Sequence, residues 1–311
     1  MLEKLAIEMK IVPLPFRLNH VNCFIAEGSR GQLIIDTGLH DKGAISIWDD
    51  VLGQHEITDI IVTHVHPDHC GYAGVLQERT GAEMMMTEID AKAYDHIWTE
   101  SAIPQLKKDY VAADVPTDIT KGVIKITKKF IPYVSPRPKV QHYLQEGEFI
   151  QIGKEQYEVI ATPGHSEGLV VFFNHDQRVL LSTDHILPKI TPNISYGFYG
   201  EANPLQSYED SLQKVSDLNA DFVIPSHGKP FYDANQRIKE IWDHHLKRFE
   251  MILDAMKDGA TIFDVCGTLF PFELTTYDYQ FAIGETIAHL EYLRAKGECT
   301  RVMHKNKWIY K

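Results

Sequence analysis

The chain has 311 residues, 44% hydrophobic and 24% charged, the composition of an ordinary globular protein with one domain or two. Its formal net charge of −12 disfavours nucleic acid, whose phosphates are met by Lys and Arg. No apolar run approaches the roughly 20 residues that a membrane helix needs, and the stretch from Met1 to Ala6 has no signal-peptide character. Cys23, Cys70, Cys266 and Cys299 are far apart and form no paired motif, so they read as free thiols in a reducing cytoplasm.

Residues 9–14, 20–26 and 32–35 read as consecutive strands, with a turn at Gly28 and Gly31. The third ends in Asp36-Thr37-Gly38, where Asp36 is either a turn residue or a carboxylate that orients a ligand loop. Residues 43–52 read as a helix leading to the buried strand Ile60-Ile61-Val62. Then comes Thr63-His64-Val65-His66-Pro67-Asp68-His69-Cys70-Gly71, followed by a helix-compatible segment, 72–79, closed by Gly81. In an extended segment residues two apart project to the same side, so His64 and His66 can share one metal. Pro67 turns the backbone and takes Asp68 and His69 toward a second position. Three imidazoles and a carboxylate in six residues suit Zn(II), Fe(II) or Mn(II). Cys70 reads as a small packing residue.

Residues 90–130 carry Tyr94, Trp98, Ile103, Leu106, Tyr110 and Val111 with lysines between, and Pro104 suits a helix start. The segment reads as two or three helices capping the site, since so long a structureless connection is improbable. Strands resume at 140–144, 149–153 and 157–161, and the last runs into Thr162-Pro163-Gly164-His165-Ser166-Glu167-Gly168. A hairpin of 168–173 and 177–182 ends in Thr183-Asp184-His185. A strand at 221–224 ends in Pro225-Ser226-His227-Gly228. Each of these is a weak signal alone; four strand ends bearing His or Asp are together a strong one. His185 reads as either a support for the site or a loop residue.

The series His64, His66, Asp68, His69, then His165, Asp184 and His227, resembles the ligand series of metallo-β-lactamase-fold hydrolases, most closely the glyoxalase II-like branch. The resemblance implies an α/β fold, an αββα sandwich of two mixed β-sheets. It implies that His64, His66 and His165 hold one metal, that Asp68, His69 and His227 hold the other, and that Asp184 bridges them. Two divalent ions, zinc before iron or manganese, are the implied cofactor. Such ions, about 3.5–4 Å apart, lower the pKa of a bridging water and polarise a substrate oxygen. The attacking group is then a metal-bridging hydroxide, with Asp68 and Asp184 as the catalytic carboxylates. Penicillin-cleaving members of the fold usually present Cys where this chain has Asp184, and acyl-homoserine lactonases commonly carry Tyr where it has Leu187. A β-lactamase is therefore not expected, and a lactonase of that type is disfavoured. The loop 190–200, with Tyr196, Phe198 and Tyr199, is expected to line the pocket, its aromatic rings serving either an apolar substrate or loop packing.

From Gln236 the texture changes. Ile238, Ile241, Trp242, His245, Leu246, Phe249, Ile252, Leu253 and Met256 follow helical spacing up to Gly259. Thr261 suits the cap of a short helix to Leu269, and Ile283, Ile287 and Leu290 mark a third helix ending at Gly297. Residues 299–304 and 307–310 can pair as a hairpin. Three helices and a hairpin resemble a winged helix, and a similar tail follows the catalytic domain in the β-lactamase-like protein 2 group. The expected domains are therefore 1–235, catalytic, with the helical insertion at 90–130, and 236–311, winged-helix-like. That group includes RNA-cleaving members, but residues 236–311 hold 11 Lys and Arg against 11 Asp and Glu. A nucleic-acid-reading helix is normally more basic. The expected function is hydrolysis of an ester, thioester or lactone of a small molecule. The alternatives are a metal-dependent phosphodiesterase or ribonuclease, and a non-catalytic metal-binding protein, against which the complete ligand set speaks.

Overall fold

Alternation of apolar side chains along the strands builds two sheets that pack face to face. The computed structural model describes residues 1–198 and 200–311. The N-terminal half supplies α1 (Leu2–Leu5), β1 (Ile7–Pro13), β2 (His20–Glu27), β3 (Gln32–Ile35), α2 (Lys42–Leu52), β4 (Ile57–Ile61), α3 (Pro67–Cys70), α4 (Ala73–Thr80) and β5 (Glu83–Met86). Three helices follow, α5 (Glu88–Ile97), α6 (Ile103–Ala112) and α7 (Thr117–Phe130), and then β6 (His142–Tyr143). The order in this first sheet is β1-β2-β3-β4-β5-β6. The second sheet is built from β7 (Phe149–Ile152), β8 (Glu155–Ala161), β9 (Val170–Asn174), β10 (Val179–Thr183), β11 (Phe222–Pro225) and β12 (Phe231–Tyr232), with α8 (Pro204–Leu218) between β10 and β11. After it come α9 (Ala234–Ala255), β13 (Ala260–Thr261), α10 (Ile262–Leu269), α11 (Thr276–Ala295), β14 (Arg301–His304) and β15 (Lys307–Tyr310).

The layering follows from the alternation. Leu33, Ile35 and Ile61 of the first sheet meet Val159, Phe172, Leu181 and Ile224 of the second in the sandwich interior. Ile34 and Ile60, one residue out of phase, face the helices outside, where Trp48 of α2 and Leu76 of α4 are buried. On the far side Leu180 and Val223 pack beneath α8 and the C-terminal helices. The fold is thus α/β with two mixed sheets between helical layers. β3 runs parallel to β4, and β10 parallel to β11, so the segments following these strands leave their sheets in a common direction.

The structure departs from the sequence reading in particulars. β5 and α8 have no counterpart there, and the strand expected over 140–144 shortens to His142–Tyr143. Of the segment 90–130, α5 belongs to the core: Asp90, Ala91, Ala93 and Tyr94 are buried, and Trp98 after it packs under the first sheet. Of the loop 190–200, Ser195 and Gly197 line a cavity, while the rings of Tyr196 and Phe198 pack against the C-terminal core, Phe198 on Trp308. Tyr199 lies outside the described residues. Both α10 and α11 begin in capping boxes, Thr261 with Asp264 and Thr275 with Asp278. Asp278 is therefore spent on its own helix terminus.

Candidate metal centre

Every candidate ligand sits in a segment that follows a strand, Asp68 and His69 in the short α3, and buried polar side chains hold these segments. The loop after β4 is held by Asp36, which follows β3: its Oδ1 accepts the Thr63 N–H at 2.9 Å and its Oδ2 accepts the Thr63 hydroxyl at 2.9 Å. Asp36 is buried and in the left-handed region at φ 59°. Of the two readings of this residue, the orienting carboxylate fits. Asp90 of α5 does a similar job between loops. Its carboxylate accepts the Val65 N–H, the Ser166 hydroxyl and the Gly168 N–H, each at 2.8 Å. It thereby ties the His64 loop to the His165 loop. Gly168 is required there, because a Cβ would lie 2.3 Å from the Thr87 hydroxyl. Trp98 Nε1 donates to Val65 O at 2.9 Å, and Asn22 of β2 donates to Pro225 O and Gly228 O, pinning the His227 loop across the sandwich.

The hydrogen bonds fix the imidazole tautomers. The Thr63 hydroxyl hydrogen goes to Asp36, so its oxygen accepts His64 Nδ1–H at 3.1 Å. His69 Nδ1–H donates to Asp36 Oδ2 at 2.8 Å, His165 Nδ1–H to Asn193 O at 2.8 Å, and His227 Nδ1–H to His20 O at 2.7 Å. In the neutral form of all four rings the proton is drawn outward and a bare Nε2 faces the site. His66 turns Nδ1 inward, 3.1 Å from His64 Nε2 and 2.9 Å from His165 Nε2.

Two triads result, His64, His66 and His165 on one side and Asp68, His69 and His227 on the other, each with donor atoms within 4.8 Å of one another. Asp184 stands between them. Its Oδ2 lies 3.4 Å from His165 Nε2 and 3.5 Å from His69 Nε2, and its Oδ1 lies 3.3 Å from His227 Nε2. Asp68 Oδ2 is 3.7 Å from His69 Nε2 and 3.5 Å from His227 Nε2. The seven residues singled out in the sequence therefore converge on one place.

Burial, reinforced by neighbouring imidazoles, holds His64 and His66 well below the ordinary histidine range. For His69 and His227 burial also acts downward, but the Asp184 and Asp68 carboxylates outweigh it and raise both. Burial alone would raise Asp184; His227, His69 and His165 hold it well below the carboxylate range. The arrangement suits a cation. His69 Nε2, His227 Nε2 and Asp184 Oδ1 are buried without a hydrogen-bond partner among the described residues, and the inner nitrogens of His64, His66 and His165 crowd together. Neutral imidazoles and carboxylates are the donors that first-row divalent metals take.

His185 makes no bond to this cluster. Its ring is fully buried, and that burial pushes it down to about 3. Cys70 is buried with its thiol on Val65 O, a packing role. Beside His66 and His165 opens a small cavity lined also by Ser166, Glu167, Ser195 and Gly197. Asp90, Asn22 and Asn193 escaped the sequence reading. Asn22 alone left a signal, a polar residue in the apolar strand His20-Val21-Asn22-Cys23-Phe24-Ile25.

A two-sheet sandwich with helices outside, gathering His and Asp donors at its strand ends, defines a metallo-hydrolase of the metallo-β-lactamase class. The chain belongs to the metallo-beta-lactamase superfamily: its family model matches residues 17–227, and the metallo-beta-lactamase-like C-terminal domain matches 249–310. The chain is 25% identical to the probable metallo-hydrolase YqjP of Bacillus subtilis (strain 168), covering 96% of each chain. A beta-lactamase-like protein 2 homolog of Caenorhabditis elegans is 26% identical over 80% of this chain and 70% of that one. The atrochrysone carboxyl ACP thioesterase dmxR1 of Cryptosporiopsis sp. (strain 8999) is 21% identical over 79% and 60%. A crystal structure of a metallo-beta-lactamase family protein from Thermus thermophilus superposes with a TM-score of 0.84 at 28% identity, covering 98% of each chain. The protein is a hydrolase of this superfamily.

Proposed function

We propose that this hydrolase works with two divalent cations, zinc before iron or manganese, and cleaves an ester, thioester or lactone of a small molecule. The observation that carries the reading is the convergence of donor atoms: His66 Nδ1 lies 3.1 Å from His64 Nε2 and 2.9 Å from His165 Nε2, and His69 and His227 set their Nε2 beside Asp184. His64, His66 and His165 would hold one ion, Asp68, His69 and His227 the other, and Asp184 both. Bound there, such ions lower the pKa of water and polarise a carbonyl oxygen. Asp68, part-exposed at the second triad, is placed to orient the attacking water or take its proton. No protein nucleophile is called for.

Phe16, Phe130 and Tyr277 stack with ring centroids 5.5–6.1 Å apart, and the Tyr277 phenol is pushed up by burial and by Asp68. This aromatic wall near Asp68 fits the apolar part of an acyl substrate. A thioester heads the list because one relative bears that activity in its name. All four cysteines are buried free thiols, which supports a reducing, cytoplasmic setting.

Nucleic acid fits poorly. We take the winged-helix-like tail, 236–311, as a wall of the site. Two of its cations are already engaged, since Arg294 and Arg301 both bond the buried Glu291, at 2.6 and 2.8 Å. Removing those arginines would strand a buried carboxylate, so Lys296 and Lys305 are the residues to neutralise. A screen of thioesters, lactones, phosphodiesters and RNA, with and without chelator, tests the proposal. The expected result is chelator-sensitive carbonyl hydrolysis that survives high salt and the change Lys296→Ala with Lys305→Ala. Salt-sensitive RNA cleavage without any carbonyl turnover would overturn it.

A further inference from the structure

His165 takes its orientation from a loop that the C-terminal helix holds. Its Nδ1–H donates to the backbone carbonyl of Asn193, in the segment between β10 and α8. Three contacts fasten that segment to one turn of α11. Asn193 Nδ2 donates to Glu285 Oε2 at 3.2 Å, and the Tyr196 N–H donates to Gly284 O at 3.0 Å. Ser195 lies against the bare Cα of Gly284, where a Cβ would meet its hydroxyl at 2.4 Å. The Ser195 hydroxyl in turn donates to Asn193 Oδ1 at 2.8 Å, which leaves Asn193 Nδ2 free to face Glu285. Glu285 is braced from behind by Arg248 of α9, 3.7 Å away, whose guanidinium also donates to Leu269 O.

We propose that Glu285 is a positioning residue for His165, acting through Asn193, so that the C-terminal helices set the geometry of the first triad. The inference rests on the reading of that triad as a metal site. The second triad is anchored elsewhere: His69 on Asp36 and His227 on His20 O, both from the first sheet or its loops. Loss of Glu285 therefore acts on one triad and spares the other. Partners that orient a ligand imidazole are worth about 10- to 100-fold in metal affinity.

The test is an equilibrium titration of the metal-stripped full chain with Zn(II) against a chromophoric chelator. The variant His165→Ala identifies which binding step belongs to the first triad. Glu285→Ala and Asn193→Ala should each weaken that step by about 10- to 100-fold and leave the other unchanged. Glu285→Gln, which keeps an oxygen for Asn193 Nδ2, should restore it. A helix that merely stabilised the fold would give equal weakening of both steps, or no rescue by Gln, and either result overturns the inference. Wild-type affinity in both Ala variants overturns it too. Should Glu285→Ala fail to fold, Asn193→Ala leaves α11 untouched and decides the matter. A wild-type chain that takes up no zinc is a distinct failure, that of the metal reading itself.

Discussion

In the C-terminal helices, as at the strand ends, buried imidazoles approach within about 3 Å of one another. His245 Nδ1 of α9 lies 3.0 Å from His289 Nε2 of α11. His289 Nδ1–H donates to Glu285 O at 2.8 Å, so its Nε2 is bare and accepts the His245 N–H. That pair is an ordinary hydrogen bond with no carboxylate among its partners, and burial, with Arg248 adding to it, lowers both rings. At the strand ends outer partners draw the Nδ1 protons of His64, His69, His165 and His227 away from the site, and Asp184 and Asp68 add negative charge within it. The number of histidines is no guide to a cation site. What matters is where each ring's second nitrogen sends its proton, and whether a carboxylate shares the space.

Altering the carboxylate between the triads should break this contrast most severely. Asp184→Asn removes the charge that reaches His165, His69 and His227, and hydrolysis should fall by roughly three orders of magnitude, several kcal/mol of lost charge stabilisation. Metal analysis of the purified variant should show less than the wild-type complement. Retention of full metal and activity would separate Asp184 from the centre.

A smaller effect is expected from Asp36→Asn. Its amide would donate to His69 Nδ1 and drive the ring's own proton onto Nε2, into the site. Zinc affinity at the second triad should drop about 10- to 100-fold, with a smaller loss at the first, whose His64 is held through the Thr63 hydroxyl. Equal losses at both would show that Asp36 acts mainly by holding the Thr63 loop.

The C-terminal pair should respond to pH and not to metal. Burial pushes His289 down to about 3 and lowers His245 well below its usual range, so both stay neutral when folded. Unfolded, they take up protons as pH falls below about 6.5. The unfolded state then binds more protons, and stability falls from about pH 6.5 down to about 3. Thermal unfolding of His289→Leu should show a shallower acid slope. Its cost at neutral pH is about 1–3 kcal/mol, for the lost bond to His245, and its zinc content is that of the wild type. Altered zinc content would mean that the pair belongs to the centre.

The sequence disclosed those parts of the site whose chemistry resides in side-chain type. His and Asp at four strand ends are uncommon together, and the unbroken apolar run Leu33-Ile34-Ile35 marks a buried strand. Asp90 was illegible because Thr87-Glu88-Ile89-Asp90 reads as a plain helix start, and its carboxylate finds Val65, Ser166 and Gly168 only after folding. Asn193 was hidden more deeply, since it holds His165 with a main-chain carbonyl that any residue possesses. The aromatic rings of the loop took the second of their two expected roles, Tyr196 and Phe198 packing on the C-terminal core, which lies far away in sequence, while Ser195 and Gly197 of the same loop line the cavity.

His64, His66, Asp68 and His69 follow a strand of the first sheet, whereas His165, Asp184 and His227 follow strands of the second. Neither half of the chain can assemble either triad without the other, because His165 completes the first and His227 the second. The centre is consequently a latecomer to folding, formed only after the sheets have docked, and an ion bound there would act as a rivet across the sandwich. Interactions absent from the folding transition state slow unfolding and leave the folding rate alone. Chelator in the refolding buffer should therefore leave the rate of collapse and docking unchanged, while the finished protein without its rivet comes apart faster.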